Sequence, residues 1–286
     1  MLKRLPQSSI DLMGREGYAP GVPVLTPEEV ARYRAEVEGF PARHPEHVKK
    51  LNSAAHALCP WATDMGAAPG LVDVFEDLFG PDLVLRNVAW RVKKPDGNTF
   101  AGWHQDHLYL GEIDPPLVLG ILALSDCDAA RGCLRVIPGS HRWGTMPHED
   151  YDDPTSILAR GQRIAADIDE TKAVDLTLKP GEMALIDTRV IHGSAPNNGP
   201  GPRIMALVSL QPTRAKRIDG ARETGILVRG TDAYGNFDPV PRPDAECSEA
   251  ALATWKEVAQ RRGRFIFTGS ALPMSENYGG DRRRSA

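Results

Sequence analysis

From about Leu83 to Gln211 the chain is written in short apolar and β-branched runs, each cut by Gly, Pro, Asn or Asp. A stretch of that grain makes many short strands joined by tight turns, the pattern of a sandwich or barrel. Strands are expected near residues 83–93, 104–110, 117–125, 133–137, 174–178, 182–192 and 203–211. The first third reads as helical. Thr26 is a helix N-cap followed by Pro27 at the first helical position, and Val30, Tyr33, Val37 and Phe40 then recur at helical spacing. Leu71, Val74, Phe75 and Leu78 form a second stripe that ends at Gly80. The class expected is therefore mainly β with packed helices, as one domain over 1–286: a helical scaffold to about residue 82, a β core over about 83–212 and a C-terminal extension over about 213–286.

Three segments fall outside that core. Arg142 to Ala173 is charged and aperiodic, a surface insertion with a short helix expected around Ser156 to Gln162, and long loops of this kind often serve as lids. A late helix is expected from Ser248 to Arg261, and the basic run Asp281-Arg282-Arg283-Arg284 reads as a solvated tail.

Charge and hydropathy narrow the partners. The net charge of −4 comes from 34 basic and 38 acidic residues mixed along the chain, which gives no electrostatic footprint for nucleic acid. The longest apolar run, Leu117 to Leu124, is too short to cross a bilayer, and Lys3, Arg4, Pro6, Asp11 and Arg15 break up the first residues, so no membrane partner and a cytoplasmic location are expected. Cys59, Cys127, Cys133 and Cys247 form no C-x-x-C pair and read as small buried hydrophobes; a Cys127–Cys133 disulfide is not expected in a reducing compartment. Oligomeric state leaves no trace in the pattern.

The chemistry starts at Trp103-His104-Gln105-Asp106. On an expected strand, His104 and Asp106 share a face, so an imidazole and a carboxylate converge. Alone, such a pair is common. A third group arrives in Val190-Ile191-His192-Gly193-Ser194, after a mostly apolar run. Two histidines and one carboxylate make a facial triad with positions left on iron(II) for a bidentate co-substrate and O₂, whereas zinc prefers a tetrahedral site. After the turn Asn197 to Pro202, Arg203 opens a strand beside His192, and its guanidinium suits the distal carboxylate of 2-oxoglutarate; Ser194, two residues from His192, adds a hydroxyl on the same face. In the strand 87–93 the polar residues Asn87, Arg91 and Lys93 share one face with Ala89. If that face lines the barrel, Asn87 and Arg91 contact 2-oxoglutarate or substrate; if it faces water, they have no role. Trp103 and Tyr109 are either pocket wall or core. Arg91, Lys93, Arg214 and Lys216 read either as a weak hint of an anionic substrate or as solvated charges.

The set H-x-D, a histidine about ninety residues later and an arginine eleven residues after it (203 minus 192) resembles the phytanoyl-CoA dioxygenase family. Gly132 to His141 resembles that family's G-x-L-x-x-x-P-G-S-H hairpin, and His192 to Asn197 its H-x-S-x-x-N turn; the resemblance spans roughly residues 15–212. It implies a double-stranded β-helix, a jelly-roll barrel with helices outside. It also implies His104, Asp106 and His192 as iron ligands, Arg203 on the distal carboxylate of 2-oxoglutarate and Ser194 assisting. His141, in the P-G-S-H turn, reads as structural. The implied activity is hydroxylation of a small molecule with conversion of 2-oxoglutarate to succinate and CO₂, using O₂ and supported by ascorbate. Asp106 argues against a halogenase, in which a small residue replaces the carboxylate. Desaturation, cyclisation or epimerisation, a zinc hydrolase, and a non-enzymatic metal- or 2-oxoglutarate-binding sensor or scaffold remain the competing readings.

Overall fold

The computed structural model describes residues 2–280; the basic run from Asp281 lies outside them. Along the chain, α1 (Gln7–Glu16), β1 (Tyr18–Pro23), α2 (Pro27–Arg43), α3 (Pro60–Gly66) and α4 (Pro69–Phe79) lead into β2 (Leu83–Lys93) and β3 (Ala101–His104). Next come α5 (His107–Leu110), β4 (Ile113–Asp114), β5 (Val118–Ala123) and β6 (Leu134–Val136), then β7 (His148–Glu149), β8 (Arg163–Ile164) and β9 (Val174–Leu176). The second half adds β10 (Glu182–Asp187), β11 (His192–Ser194), β12 (Arg203–Pro212), β13 (Lys216–Arg217), β14 (Glu223–Arg229), β15 (Phe237–Pro239) and α6 (Glu249–Ile266).

A large sheet runs β1-β10-β5-β12-β2-β14-β15 and a smaller one β3-β11-β6-β9; β13 pairs with β4, and β7 with β8. The pairings are antiparallel apart from β14 with β15. Between the two sheets lies an apolar layer in which Ile121, Ile186 and Met205 of the large sheet meet Leu134, Val136 and Leu176 of the small one. On the other side of the large sheet, Val88, Trp90, Ala206 and Val208 pack with Tyr33, Phe40, Leu71 and Phe75 of the helices.

The helix starts follow their sequence signals. Thr26 accepts from the Glu29 backbone N–H while the Glu29 carboxylate accepts from the Thr26 N–H, a reciprocal cap, and Val30, Tyr33, Val37 and Phe40 are the buried face of α2. Ser248 caps α6 through the Ala251 N–H.

Several expectations are corrected. The strand expected over 104–110 ends at His104, because the chain turns through Asp106 (φ −71°, ψ −31°), whose carbonyl accepts from the Tyr109 and Leu110 N–H groups to start α5. The strand expected over 182–192 is two strands in different sheets. Asp187 breaks it, since its carboxylate accepts from the Arg189 N–H (2.8 Å) and its carbonyl from Val190 (2.9 Å), and the turn sends His192 across to β11. The helical first third also holds β1, masked in the sequence by Ala19-Pro20-Gly21. No helix forms around Ser156 to Gln162; Ser156 instead bridges to Phe100. After residue 212, β14 pairs with β2 and so extends the large sheet. All four cysteines are free. Among the described residues no helix is long and apolar enough to cross a membrane.

Candidate metal centre and its cavity

β3 ends on His104 and β11 opens on His192, and the two are partners across the ladder. Their ring centroids lie 4.1 Å apart. Each ring is pinned through Nδ1, His104 to the Gly102 carbonyl at 2.8 Å and His192 to the Val190 carbonyl at 3.0 Å. With Nδ1–H donating to a carbonyl, each Nε2 is left as the lone-pair nitrogen. The turn into α5 then carries the Asp106 carboxylate between them, Oδ1 at 3.4 Å from His104 Nε2 and Oδ2 at 3.6 Å from His192 Nε2. The convergence expected from a strand repeat is thus made by a turn.

One ligand atom from each of the three lies within 4.8 Å of the others, the one such group of metal-ligating side chains among the described residues. Burial and the neighbouring His104 push His192 down to about 4, so it is a neutral donor at pH 7. Burial alone would raise the Asp106 carboxyl, but the adjoining His104 and His192 imidazoles outweigh it and hold it below the usual carboxylate range. Two imidazole nitrogens and one anionic oxygen converging on one point, with Asp106 in the wall of a cavity, fit iron(II) in a facial site.

The polar face of β2 is the inner one. Asn87 is 6% exposed and Lys93 is fully buried, while Val88 and Trp90 on the opposite face pack under the helices. Asn87 and Arg91 line a cavity of about 70 Å³ with Asp106, Tyr109, Leu119 and Leu207. The Asn87 carbonyl oxygen accepts from the Ala54 N–H at 3.0 Å, which leaves its amide NH₂ for the cavity, and Arg91 donates to the Asn52 and Trp90 carbonyls. Tyr109 stands edge-on to His148 with the Arg160 guanidinium over its ring. Trp103 is elsewhere. It packs with Ile137, Ile164 and Ile191 and donates to Glu170 at 3.0 Å, because the residue beside His104 on a strand faces the other way. Arg214 and Lys216 are also away from this cavity, the first donating to the Phe79 carbonyl and the second exposed on β13. His141 is bound by the Gly14 carbonyl and packs on Gly17, where even a Cβ would come within 2.6 Å of its ring.

Further along the same face, Arg203 and Lys93 are partners across β12 and β2. Arg203 is 1% exposed, donates to the Gly132 carbonyl and leaves its Nε without a partner. Lys93 donates to Ser194 Oγ at 2.7 Å and to the Ala195 carbonyl at 2.6 Å. Burial and the nearby guanidinium push Lys93 down to about 6, and burial brings Arg203 to about 10. Neither has a carboxylate partner among the described residues. A buried guanidinium without an anion, beside an amine driven toward its neutral form, is costly unless a ligand supplies the anion, and a carboxylate matches the guanidinium fork. Sequence reasoning gave Arg203 and Ser194 but left Lys93 between a weak hint of an anionic substrate and a solvated charge; its place on the same strand face as Asn87 was the available signal.

Two segments outside the β core also line the cavity. Leu158, Ala159 and Gln162 come from the 142–173 insertion, and Arg262 and Ile266 from α6. The stripe Ala251, Trp255, Val258, Arg262 and Ile266 is the buried face of that helix, so helical spacing marked Arg262 as an inward residue.

A family model described as phytanoyl-CoA dioxygenase (PhyH) matches residues 13–205. The ectoine dioxygenase of Nocardia farcinica is 28% identical over 214 residues, which cover 66% of this chain and 72% of that protein. The chain spans about half the length of several other curated relatives. Among solved structures, the apo form of the non-haem monooxygenase ThoJ superposes with a TM-score of 0.77 at 28% identity, covering 90% of this chain and 97% of that one. The non-haem α-ketoglutarate-dependent epimerase SnoN of nogalamycin biosynthesis shares the fold, with a TM-score of 0.57 at 19% identity over 82% of this chain and 97% of that one. The expected jelly-roll is the fold held in common, with largely antiparallel sheets that do not close into a barrel.

Proposed function

This chain belongs to the phytanoyl-CoA dioxygenase family of iron- and 2-oxoglutarate-dependent oxygenases, and on that premise we propose that it hydroxylates an unactivated C–H bond of a small molecule, with His104, Asp106 and His192 as iron ligands. The observation that carries the reading is the meeting of two features between the two sheets: the His104, Asp106 and His192 donor atoms, and the buried Arg203 and Lys93, which have no carboxylate partner among the described residues and of which Lys93 reaches Ser194, two residues beyond His192.

The chain's own groups divide the work. Gly102 and Val190 hold the two imidazoles with Nε2 facing inward, so the donors need no reorganisation when metal arrives. Arg203 receives the distal carboxylate of 2-oxoglutarate. Lys93 adds its charge and, by donating to Ser194 Oγ, turns the Ser194 hydroxyl proton toward the ligand. The Asn87 amide and Arg91 offer donors from the neighbouring rungs of β2. Tyr109, Leu119 and Leu207 give the substrate an apolar wall and exclude water. Bound iron(II) supplies the activation of O₂ that couples 2-oxoglutarate decarboxylation, to succinate and CO₂, with oxidation of the substrate. A cavity of about 70 Å³ holds only a few waters, so a substrate enters when the Leu158–Gln162 segment moves aside.

The test is O₂ consumption and succinate formation by anaerobically purified protein given iron(II), 2-oxoglutarate and ascorbate across a substrate panel. Turnover lost in both His104→Ala and Asp106→Ala supports the oxygenase, and product analysis separates hydroxylation from desaturation, cyclisation or epimerisation. Absence of both turnover and 2-oxoglutarate binding would leave the sensor or scaffold reading.

A further inference from the structure

α6 lies beyond the segment that matches the family, yet it reaches the iron-side cavity with a charge. Arg262 is 6% exposed and lines the same cavity as Asp106, Arg91 and Tyr109. Its Nε and Nη1 have no hydrogen-bond partner, and among the described residues no carboxylate forms an ion pair with it.

The nearby anion is already spoken for. Glu223 sits between Arg86 Nη2 at 2.8 Å and Arg217 Nη1 at 3.2 Å, and it is itself buried. Both guanidinium groups reach its Oε1, and among the described residues no hydrogen bond joins Glu223 to Arg262, which feels only the field of that carboxylate. Arg160, the other guanidinium near the cavity, is satisfied by Asp150 at 2.7 Å. Arg91 finds only the backbone carbonyls of Asn52 and Trp90. Asp106 is the one carboxylate in the cavity wall among the described residues, and its oxygens face the two histidines. Arg91 and Arg262 therefore leave the cavity with two guanidinium groups and no carboxylate assigned to either.

A methionine at position 262 would fill the same place on the buried stripe of α6 without desolvating a charge. A planar fork of donors held in a cavity suits a carboxylate or phosphate. We infer, on the strength of the oxygenase reading above, that the molecule oxidised carries an oxyanion, a carboxylate or phosphate, received by Arg262 with Arg91 beside it. Its apolar body then lies along Leu119, Leu207 and Ile266, and the helix that follows the matched segment sets substrate class. This site is separate from the Arg203 and Lys93 pair, which takes 2-oxoglutarate.

The test uses the full chain loaded with iron(II) and 2-oxoglutarate under anaerobic conditions. Acetate, phenylacetate and inorganic phosphate are titrated by calorimetry, with acetamide and phenylacetamide as neutral controls, into wild type, Arg262→Met and Arg262→Lys. Affinity for 2-oxoglutarate and the melting temperature of ligand-free protein are measured in parallel. The expected result is that at least one carboxylate binds wild type at least tenfold tighter than its amide, that Arg262→Met removes the preference, and that Arg262→Lys keeps most of it. Affinity for 2-oxoglutarate stays the same in all three, and the methionine variant melts no lower than wild type. Equal affinity for acids and amides in wild type that binds 2-oxoglutarate normally overturns the inference. So does a loss of 2-oxoglutarate affinity in Arg262→Met, which would make Arg262 part of the co-substrate site, or a lower melting temperature, which would make it a structural cation. Wild type that fails to bind 2-oxoglutarate at all overturns the oxygenase reading instead.

Discussion

Lys93 makes 2-oxoglutarate binding depend on pH in a calculable way. Its side chain is fully buried, and burial with the adjoining Arg203 guanidinium brings it from an ordinary 10.5 to about 6. At pH 8 the free protein therefore carries a neutral amine in about 99 molecules of every hundred, and protonating it costs about 2.7 kcal/mol. A dianion arriving at Arg203 recovers the cation, so binding takes up one proton. The dissociation constant then rises about tenfold per pH unit, or about a hundredfold from pH 7 to 9, until the pKa in the complex is reached. His192 titrates near 4 and is silent across this window. The assay is calorimetry of 2-oxoglutarate into anaerobic iron(II) protein at several pH values, in buffers of differing ionisation enthalpy, for wild type and Lys93→Met. The variant should lose the slope and the proton uptake. The same linkage gives a sign for folding. Because the folded pKa lies below the unfolded one, the unfolded chain binds more protons between about 6 and 10.4, and ligand-free wild type gains roughly 1.4 kcal/mol of stability per pH unit from this group as pH rises there. A flat wild-type dissociation constant from pH 7 to 9 refutes the reasoning.

Other outcomes follow from single contacts. His104→Ala and Asp106→Ala should each abolish substrate-stimulated succinate formation while leaving the far-UV circular dichroism unchanged, and iron content after desalting reads the lost ligand directly. Arg203→Lys keeps charge but loses the planar fork, so 2-oxoglutarate affinity should fall by about ten- to a hundredfold, the worth of one charge-assisted hydrogen bond; an unchanged affinity would remove Arg203 from the site. Phe40 is fully buried between α2 and the large sheet, and Phe40→Ala should cost about 3–5 kcal/mol in urea unfolding. Thr26→Ala removes one side of the reciprocal cap on α2 and should cost about 1 kcal/mol by the same measurement.

What the sequence made legible was local. The cap at Thr26 and the apolar stripes of α2 and α4 depend on neighbours a few residues away, and they stand where spacing put them. β2 and β12 are long and bounded by turn residues, so their limits were readable to within a residue. The failures come where a tertiary contact overrides the local pattern. His107 is drawn out of strand geometry because its N–H finds the Thr188 carbonyl at 3.0 Å, and β1 exists because Tyr18 to Pro23 has β10 to pair with. No periodicity encodes either partner.

The candidate site shows the same division more sharply. His104 and His192 could be paired on paper through their surrounding motifs, yet what brings Asp106 to both is a turn that the strand reading had excluded. The face of β2 was undecidable from alternation alone, since polar residues on one side ordinarily mean water. Here the side carrying Asn87 and Lys93 is the inner one, while Val92 on the other side is 42% exposed. Inward charge on a strand is destabilising unless something answers it, so the inversion is itself a mark of a ligand site. It recurs on α6, where an arginine takes the place that the stripe reserves for an apolar residue. A charged residue at a position whose periodicity demands burial is therefore the signal to search for: in this chain it picks out Lys93, which reaches Ser194 two residues beyond His192, and Arg262, which lines the cavity that Asp106 enters.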